Sequence, residues 1–267
     1  TLVEAGIRDW LQLHATTLEA QFVYKGWLDA TGARTLVEGG IRDWLQLHAT
    51  TPEAEFVYQS WLDATGDCTL VEGKIRDWLQ DHATNLEAGF VYQSWLDATG
   101  DRTLVKWDIQ DWLQLHATTL EADFVCRAWL KAKGNPNLVA KPIKQWLSVH
   151  GNSLDAQFLY KGWLDAKGRK TLVQDFIRQW LRHHAQAFEA SFVYASWLNA
   201  GGDIELVRDS IRQWLTCYAT EQSAKYVYIN WLKAGGKKEL VKPYLSRWLK
   251  IYRHVQEAAL LARLCGV

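Results

Sequence analysis

The chain has 267 residues, with 30 Lys and Arg against 30 Asp and Glu, so its formal net charge is zero. A content of 48% hydrophobic and 22% charged residues excludes a disordered chain, and no apolar run is long enough to span a membrane. Four Cys, at 68, 126, 217 and 265, lack metal-ligand spacing and read as reduced thiols of a cytoplasmic protein, while the absence of Met and the start at Thr1 point to a processed or partial chain.

The sequence repeats every 34 residues, starting at Thr1, Thr35, Thr69, Thr103, Asn137, Thr171, Glu205 and Glu239. The second copy differs from the first at seven of 34 positions, and the later copies drift. Leu, Val, Trp and Leu at repeat positions 2, 3, 10 and 11 occur in all eight. Trp and Leu at positions 27 and 28 occur in seven. Only Trp107 of the sixteen Trp lies outside this pattern, so the Trp excess belongs to the core.

In the first half of the repeat, Leu2, Val3, Ile7, Trp10, Leu11 and His14 fall on one stripe at about 100° per residue, which predicts an amphipathic helix. Thr1 with Glu4, Thr35 with Glu38 and Thr69 with Glu72 read as capping boxes. A second helix is predicted from Leu18 to Ala30, with Thr16 and Glu19 as its capping box and Pro52 tolerated in a first turn. Gly32, Gly66, Gly100, Gly134, Gly168, Gly202 and Gly236 then serve as left-handed C-caps. The second helix is apolar on two sides: Ala20, Val23, Tyr24, Trp27 and Leu28 on one, Leu18 and Phe22 on the other. Such a helix is sandwiched by neighbours, so it is predicted to be the inner one. The last copy, with Cys265 in place of Trp, ends in a shortened helix over Ala258–Leu264. Nothing alternates like a strand. The predicted fold is all-α, a single α-solenoid over 1–267 of about eight helix–turn–helix repeats, the last incomplete.

The 34-residue helical hairpin, and the stretch PEAEFVYQSWLDATGD at Pro52–Asp67 with its Gly-Asp turn, resembles the tetratricopeptide repeat in a Trp-rich variant. Where that family carries small residues this chain has Gln59, Val71 and Trp78. The near-identical copies also resemble the repeat arrays at the sensor end of bacterial STAND-type signalling ATPases. The resemblance implies a groove on the inner helices for an extended or helical peptide. No phosphate-binding loop is present, so an ATPase domain would lie outside this chain.

On the inner helix, positions 22, 26 and 29 line up as an aromatic ring, a small residue and a polar end. They read Phe22, Gly26, Asp29; Phe56, Ser60, Asp63; Phe90, Ser94, Asp97; Phe124, Ala128, Lys131; Phe158, Gly162, Asp165; Phe192, Ser196, Asn199; and Tyr226, Asn230, Lys233. Two readings stand: the rings pack between neighbouring helices, or they line the groove with the polar ends setting register. His14, His48, His82, His116, His150 and His184 recur once per repeat, and Tyr218 and Tyr252 follow in the same place. Tyr replaces an aromatic slot well and a metal ligand poorly, so these rings are read as structural. No catalytic constellation, metal site or cofactor motif occurs, and the chain is read as no enzyme.

Neutrality hides a division. Residues 1–136 hold 11 basic and 20 acidic side chains, a net −9, and the remainder a net +9. The expected function is a scaffold for a protein or peptide partner. One alternative is nucleic-acid binding by a basic row of Lys144, Arg178 and Arg212. The acidic first half and the lack of aromatic–basic interleaving argue against that row. Another alternative is self-association, through the opposite charges or the uncapped N-terminal edge.

Overall fold

The computed structural model describes residues 2–266. Among them are sixteen α-helices and no strand, an α-solenoid of helical hairpins. The first helix of each hairpin is α1 (Leu2–His14), α3 (Glu38–His48), α5 (Glu72–His82), α7 (Lys106–His116), α9 (Pro136–His150), α11 (Lys170–His184), α13 (Ile204–Tyr218) or α15 (Lys238–Tyr252). The second is α2 (Ala20–Thr31), α4 (Ala54–Thr65), α6 (Ala88–Thr99), α8 (Glu121–Lys131), α10 (Ala156–Asp165), α12 (Ala190–Asn199), α14 (Ala224–Lys233) or α16 (Gln256–Cys265).

Contacts gather in two compact units, Thr1–Pro142 and Ile143–Val267. In the first unit α2, α4, α6 and α8 pack on one another in turn. In the second, α10, α12, α14 and α16 do the same. The first helices of the hairpins touch each other far less. The second helices therefore form the tight layer in each unit, as expected from their two apolar sides.

Aromatic side chains with polar tips hold this stack together. Trp44, Trp78, Trp112 and Trp180 are buried, and each donates its indole N–H to a carbonyl in the turn of the preceding hairpin, at Thr17, Thr51, Asn85 and Ser153 respectively. The Trp at position 27 donates to the carbonyl six residues on, as Trp61 does to Asp67 and Trp197 to Asp203. Tyr24, Tyr58, Tyr92, Tyr160, Tyr194 and Tyr228 donate to the carbonyl nine residues back. A connecting turn buried between hairpins would otherwise leave these carbonyls without donors. The Trp excess thus covers apolar area and satisfies the turns at once. Cys126 takes the Tyr slot in the fourth repeat and is buried, which pushes its thiol well above the usual range.

The recurrent His is structural in the same way. Its ring lies over the Trp one turn earlier, 4.7 Å between centroids for Trp44–His48, Trp78–His82 and Trp112–His116. Nε2 meets the carbonyl of Thr16, Thr50, Thr84 or Asn152 from His48, His82, His116 or His184. A carbonyl only accepts, so Nε2 carries the proton. Tyr218 and Tyr252 keep the ring contact, with Trp214 and Trp248.

Three local expectations need correction. First, the Thr35–Glu38, Thr69–Glu72 and Thr16–Glu19 capping boxes do not form, while the Thr1–Glu4 box involves Thr1, which lies outside the described residues. Thr17 bonds back to the His14 carbonyl, so α2 starts at Ala20, and Glu19 makes no side-chain cap bond. At position 33, Asp67, Asp101, Asn135 and Asp203 accept from the backbone N–H two residues on; this bond caps α13 at Asp203, whereas Asp67 and Asp101 close the turn ahead of α5 and α7. Second, only Gly32, Gly66 and Gly100 of the seven glycines are left-handed. In the later repeats the left-handed residue is one earlier: Lys133, Lys167, Gly201 and Gly235. Gly134 then bonds its N–H to Trp129 O and Lys133 to Leu130 O, a Schellman motif. Position 31 explains the change. Thr31, Thr65 and Thr99 are β-branched and resist φ > 0; their hydroxyls bond back to the Trp carbonyl instead. Third, Gly134, Gly168, Gly202 and Gly236 are glycines for space. A Cβ on any of them would lie 2.2 Å from the Trp of its own hairpin.

Candidate binding face

Positions 22 and 29 do share one exposed face of the second helices. In the first unit Phe22, Phe56 and Phe124 are exposed, Phe22 at 66%. In the second, Phe158, Phe192 and Tyr226 are exposed too. Phe90 is half-buried. The rings are therefore not sealed between helices. Position 18, one turn earlier, adds exposed Leu18, Leu86 and Leu120 in the first unit and Leu154 and Phe188 in the second. Each unit presents an apolar strip two residues wide, with the position-29 side chains beyond it.

The small residues of position 26 play another part than the expected notch. Ser60, Ser94, Ala128 and Ser196 are buried, Ser60 at 2%, where second helices touch. They permit helix contact and are closed to a ligand. Gly26 differs, since a Cβ there meets nothing within 4 Å.

Position 29 is largely self-paired. Asp29 accepts from Lys25 at 2.6 Å and Asp97 from Lys131 at 2.7 Å, and Asp165 pairs with Lys161. Asp63 sits between Asp29 and Asp97. Burial, followed by those two charges, raises its carboxyl above the usual value, while a hydrogen bond with Ser94 lowers it. Asn199 and Lys233 are exposed. The acids form a short ladder in the first unit, capped by Lys131.

The basic row is exposed but not free. Arg178 pairs with Asp175, and Arg212 lies 3.6 Å from Asp209. Acids one turn earlier thus replace the adjacent acids of the early repeats. Lys144 is exposed. Leu2 and Val3, at the predicted N-terminal edge, are exposed as well.

Sequence reasoning missed position 21. It is Gln21, Glu55, Gly89, Asp123, Gln157, Ser191 and Lys225 in successive repeats; all but Lys225 are buried, although only Gly89 lacks a polar side chain. Asp123 pairs with Arg127 at 2.8 Å and Lys225 with Glu257 at 2.7 Å. Glu55 is only 6% exposed, and its Oε2 has no hydrogen-bond partner. Burial, and after it the Glu87 charge, raises the Glu55 carboxyl from 4.5 to about 7. The signal in the sequence was a polar residue of changing charge beside an invariant core stripe. A second missed feature is an exposed apolar row on the first helices, Leu13, Leu47, Leu115 and Val149. Trp107 is exposed too, with Lys106 Nζ 4.5 Å from its ring centroid.

Among the described residues, no group of three or more His, Cys, Asp or Glu is placed to hold a metal ion, and no helix is long and apolar enough to cross a membrane. Comparison with protein-family models, curated proteins and solved structures finds no match.

Proposed function

We propose that this chain is a non-enzymatic scaffold, a Trp-rich relative of the tetratricopeptide repeat, that binds a protein or peptide along the second-helix face. One observation carries this reading: the strip of exposed Leu and Phe at positions 18 and 22. The Trp, Tyr and Val residues already fill the core, so the strip is not needed for folding. Contiguous exposed apolar surface marks an interaction site. Asp63, exposed among like charges beside the strip, would fix the register of a partner. A cytoplasmic sensor array of a bacterial signalling protein suits such a surface.

The test is selection of displayed random peptides on the wild-type chain, followed by binding to a Phe22→Ser, Phe56→Ser, Phe124→Ser variant. Selected peptides should bind the variant at least about tenfold more weakly, since each ring contributes contact area of the kind that dominates interfaces. The helical circular dichroism spectrum should be unchanged. Failure to enrich any peptide, or peptides indifferent to the three changes, overturns the proposal. The nucleic-acid alternative loses support from the ion pairs of Arg178 and Arg212. Charge-driven self-association keeps one specific support, the net charges of opposite sign on the two halves.

A further inference from the structure

Beside the N-terminal end of α4 lies a cleft of about 250 Å³, walled by Glu55, Phe56, Trp78, His82, Asn85 and Glu87. We propose that this cleft binds an organic ammonium ion, either a free primary amine or the end of a partner's lysine side chain.

The repeats themselves supply the argument. In the seventh repeat Lys225 holds position 21, and its ammonium lies 2.7 Å from Glu257, the position-19 acid of the next repeat. The same ammonium lies 5.1 Å from the ring centroid of Tyr226, at position 22. In the fourth repeat Arg127 pairs with Asp123 at position 21 and lies 5.2 Å from the centroid of Phe124, again at position 22. Both places join a cation, a carboxylate and an aromatic face.

The second repeat keeps the carboxylate and the ring but has no cation of its own. Glu55 holds position 21, Phe56 position 22, and Glu87 is the position-19 acid of the following repeat. Position 25, which is Arg127 in the fourth repeat, is Gln59 here. Among the described residues, no Lys or Arg forms an ion pair with Glu55 or Glu87. Like charges thus face each other where the seventh repeat has an ion pair. A buried carboxylate oxygen with no donor is unfavourable and calls for one. That oxygen, Oε2, is buried, has no donor and belongs to a residue that walls the cleft, which suits a compact ammonium.

The experiment is calorimetric titration of the full chain with n-butylammonium chloride and, separately, with Nα-acetyl-lysine methylamide. The neutral n-butanol is the control. One saturable site for butylammonium and none for butanol are expected. Glu55→Gln should weaken binding at least tenfold, and Gln at this position already occurs in the fold at Gln21 and Gln157. Gln59→Arg, which copies the Asp123–Arg127 pair, should weaken it as much by filling the cleft from within. Binding of the lysine derivative assigns the site to lysine ends, and binding of butylammonium alone assigns it to free amines. Absence of saturable binding by both probes, undiminished binding in Glu55→Gln, or displacement of butylammonium by calcium at lower concentration overturns the proposal. Phe56 belongs to both the cleft and the strip, but Glu55→Gln and Gln59→Arg leave every ring of the strip in place, so the result of the titration and that of the peptide selection are separable.

Discussion

Replacing Glu55 by Gln separates the cost of a buried charge from the packing of its side chain. The carboxyl is displaced from 4.5 to about 7, by burial first and by Glu87 second. Between these values the native state keeps a proton that the unfolded chain has released. Stability contributed by the protonated form is therefore full below about pH 4.5, and is lost as pH rises to about 7. At about 1.4 kcal/mol per pH unit, the loss reaches up to about 3 kcal/mol at pH 8. Water reaching the cleft reduces it, so about 1–3 kcal/mol is expected. Gln has the same shape and no charge to form. Wild type and Glu55→Gln should then melt together near pH 4, and the variant should melt roughly 2–10 °C higher at pH 8. Glu53, His82 and Glu87 also line the cleft, and they are common to both chains. The assay is thermal circular dichroism at pH 4, 6 and 8. A gap that does not change with pH, or a variant less stable at pH 8, refutes the reasoning.

Gly134→Ala should destabilise by about 1–3 kcal/mol, because its methyl meets Trp129 at 2.2 Å. Gly39→Ala, in a helix with nothing near it, should stabilise by about 0.5–1 kcal/mol; urea melts of the pair test both. Lys133→Gly removes a left-handed Cβ (φ 59°) and should stabilise by about 1 kcal/mol in the same assay. The buried Tyr hydroxyls are raised above their ordinary 10.0, chiefly by burial. Stability should fall as pH rises through about 10, and their absorbance should titrate together with unfolding. Tyrosine absorbance that titrates near pH 10 in a still-helical chain contradicts this. If opposite charges drive self-association, sedimentation at about 20 mM salt should show oligomers that vanish at about 500 mM; a monomer at both excludes it.

The hairpins were legible because period, stripe and Trp spacing all point to one fold. The inner rank of the second helix followed from Leu18 and Phe22 lying opposite Val23 and Trp27. The caps were not legible, for a physical reason. Thr1-type and Thr16-type residues match a capping box by spacing, but which backbone N–H lacks a partner depends on the preceding turn. That turn is set by Thr31 against Lys133, one residue's tolerance of φ > 0. Gly134 shows the same limit. A glycine after a helix has two reasons to be there, conformation or room for a ring, and only the position of Trp129 tells them apart. On the candidate face, ring exposure was open in the sequence because period alone gives an angle and not a neighbour. The burial of Ser60 and Ser94 follows from how closely the second helices approach.

Position 21 brings these strands together. The core Trp, Tyr and Val residues satisfy the turns and bury the stripe in nearly every repeat, so the fold does not depend on what stands at 21. Most copies there are neutral or paired within the chain, as with Gln157, Asp123 and Lys225. Glu55 breaks the rule by placing a carboxylate near Glu87 with no cation to join them. Of the buried side-chain atoms without a partner among the described residues, Glu55 Oε2 is the one that belongs to a carboxylate, and such breaks in an otherwise consistent sequence are where function is sought. The two readings of Glu55 then make linked demands. Gln should make the chain more stable at pH 8 and deaf to butylammonium; a variant that gains stability while binding butylammonium as before would show that the charge is a defect of packing and not a binding group.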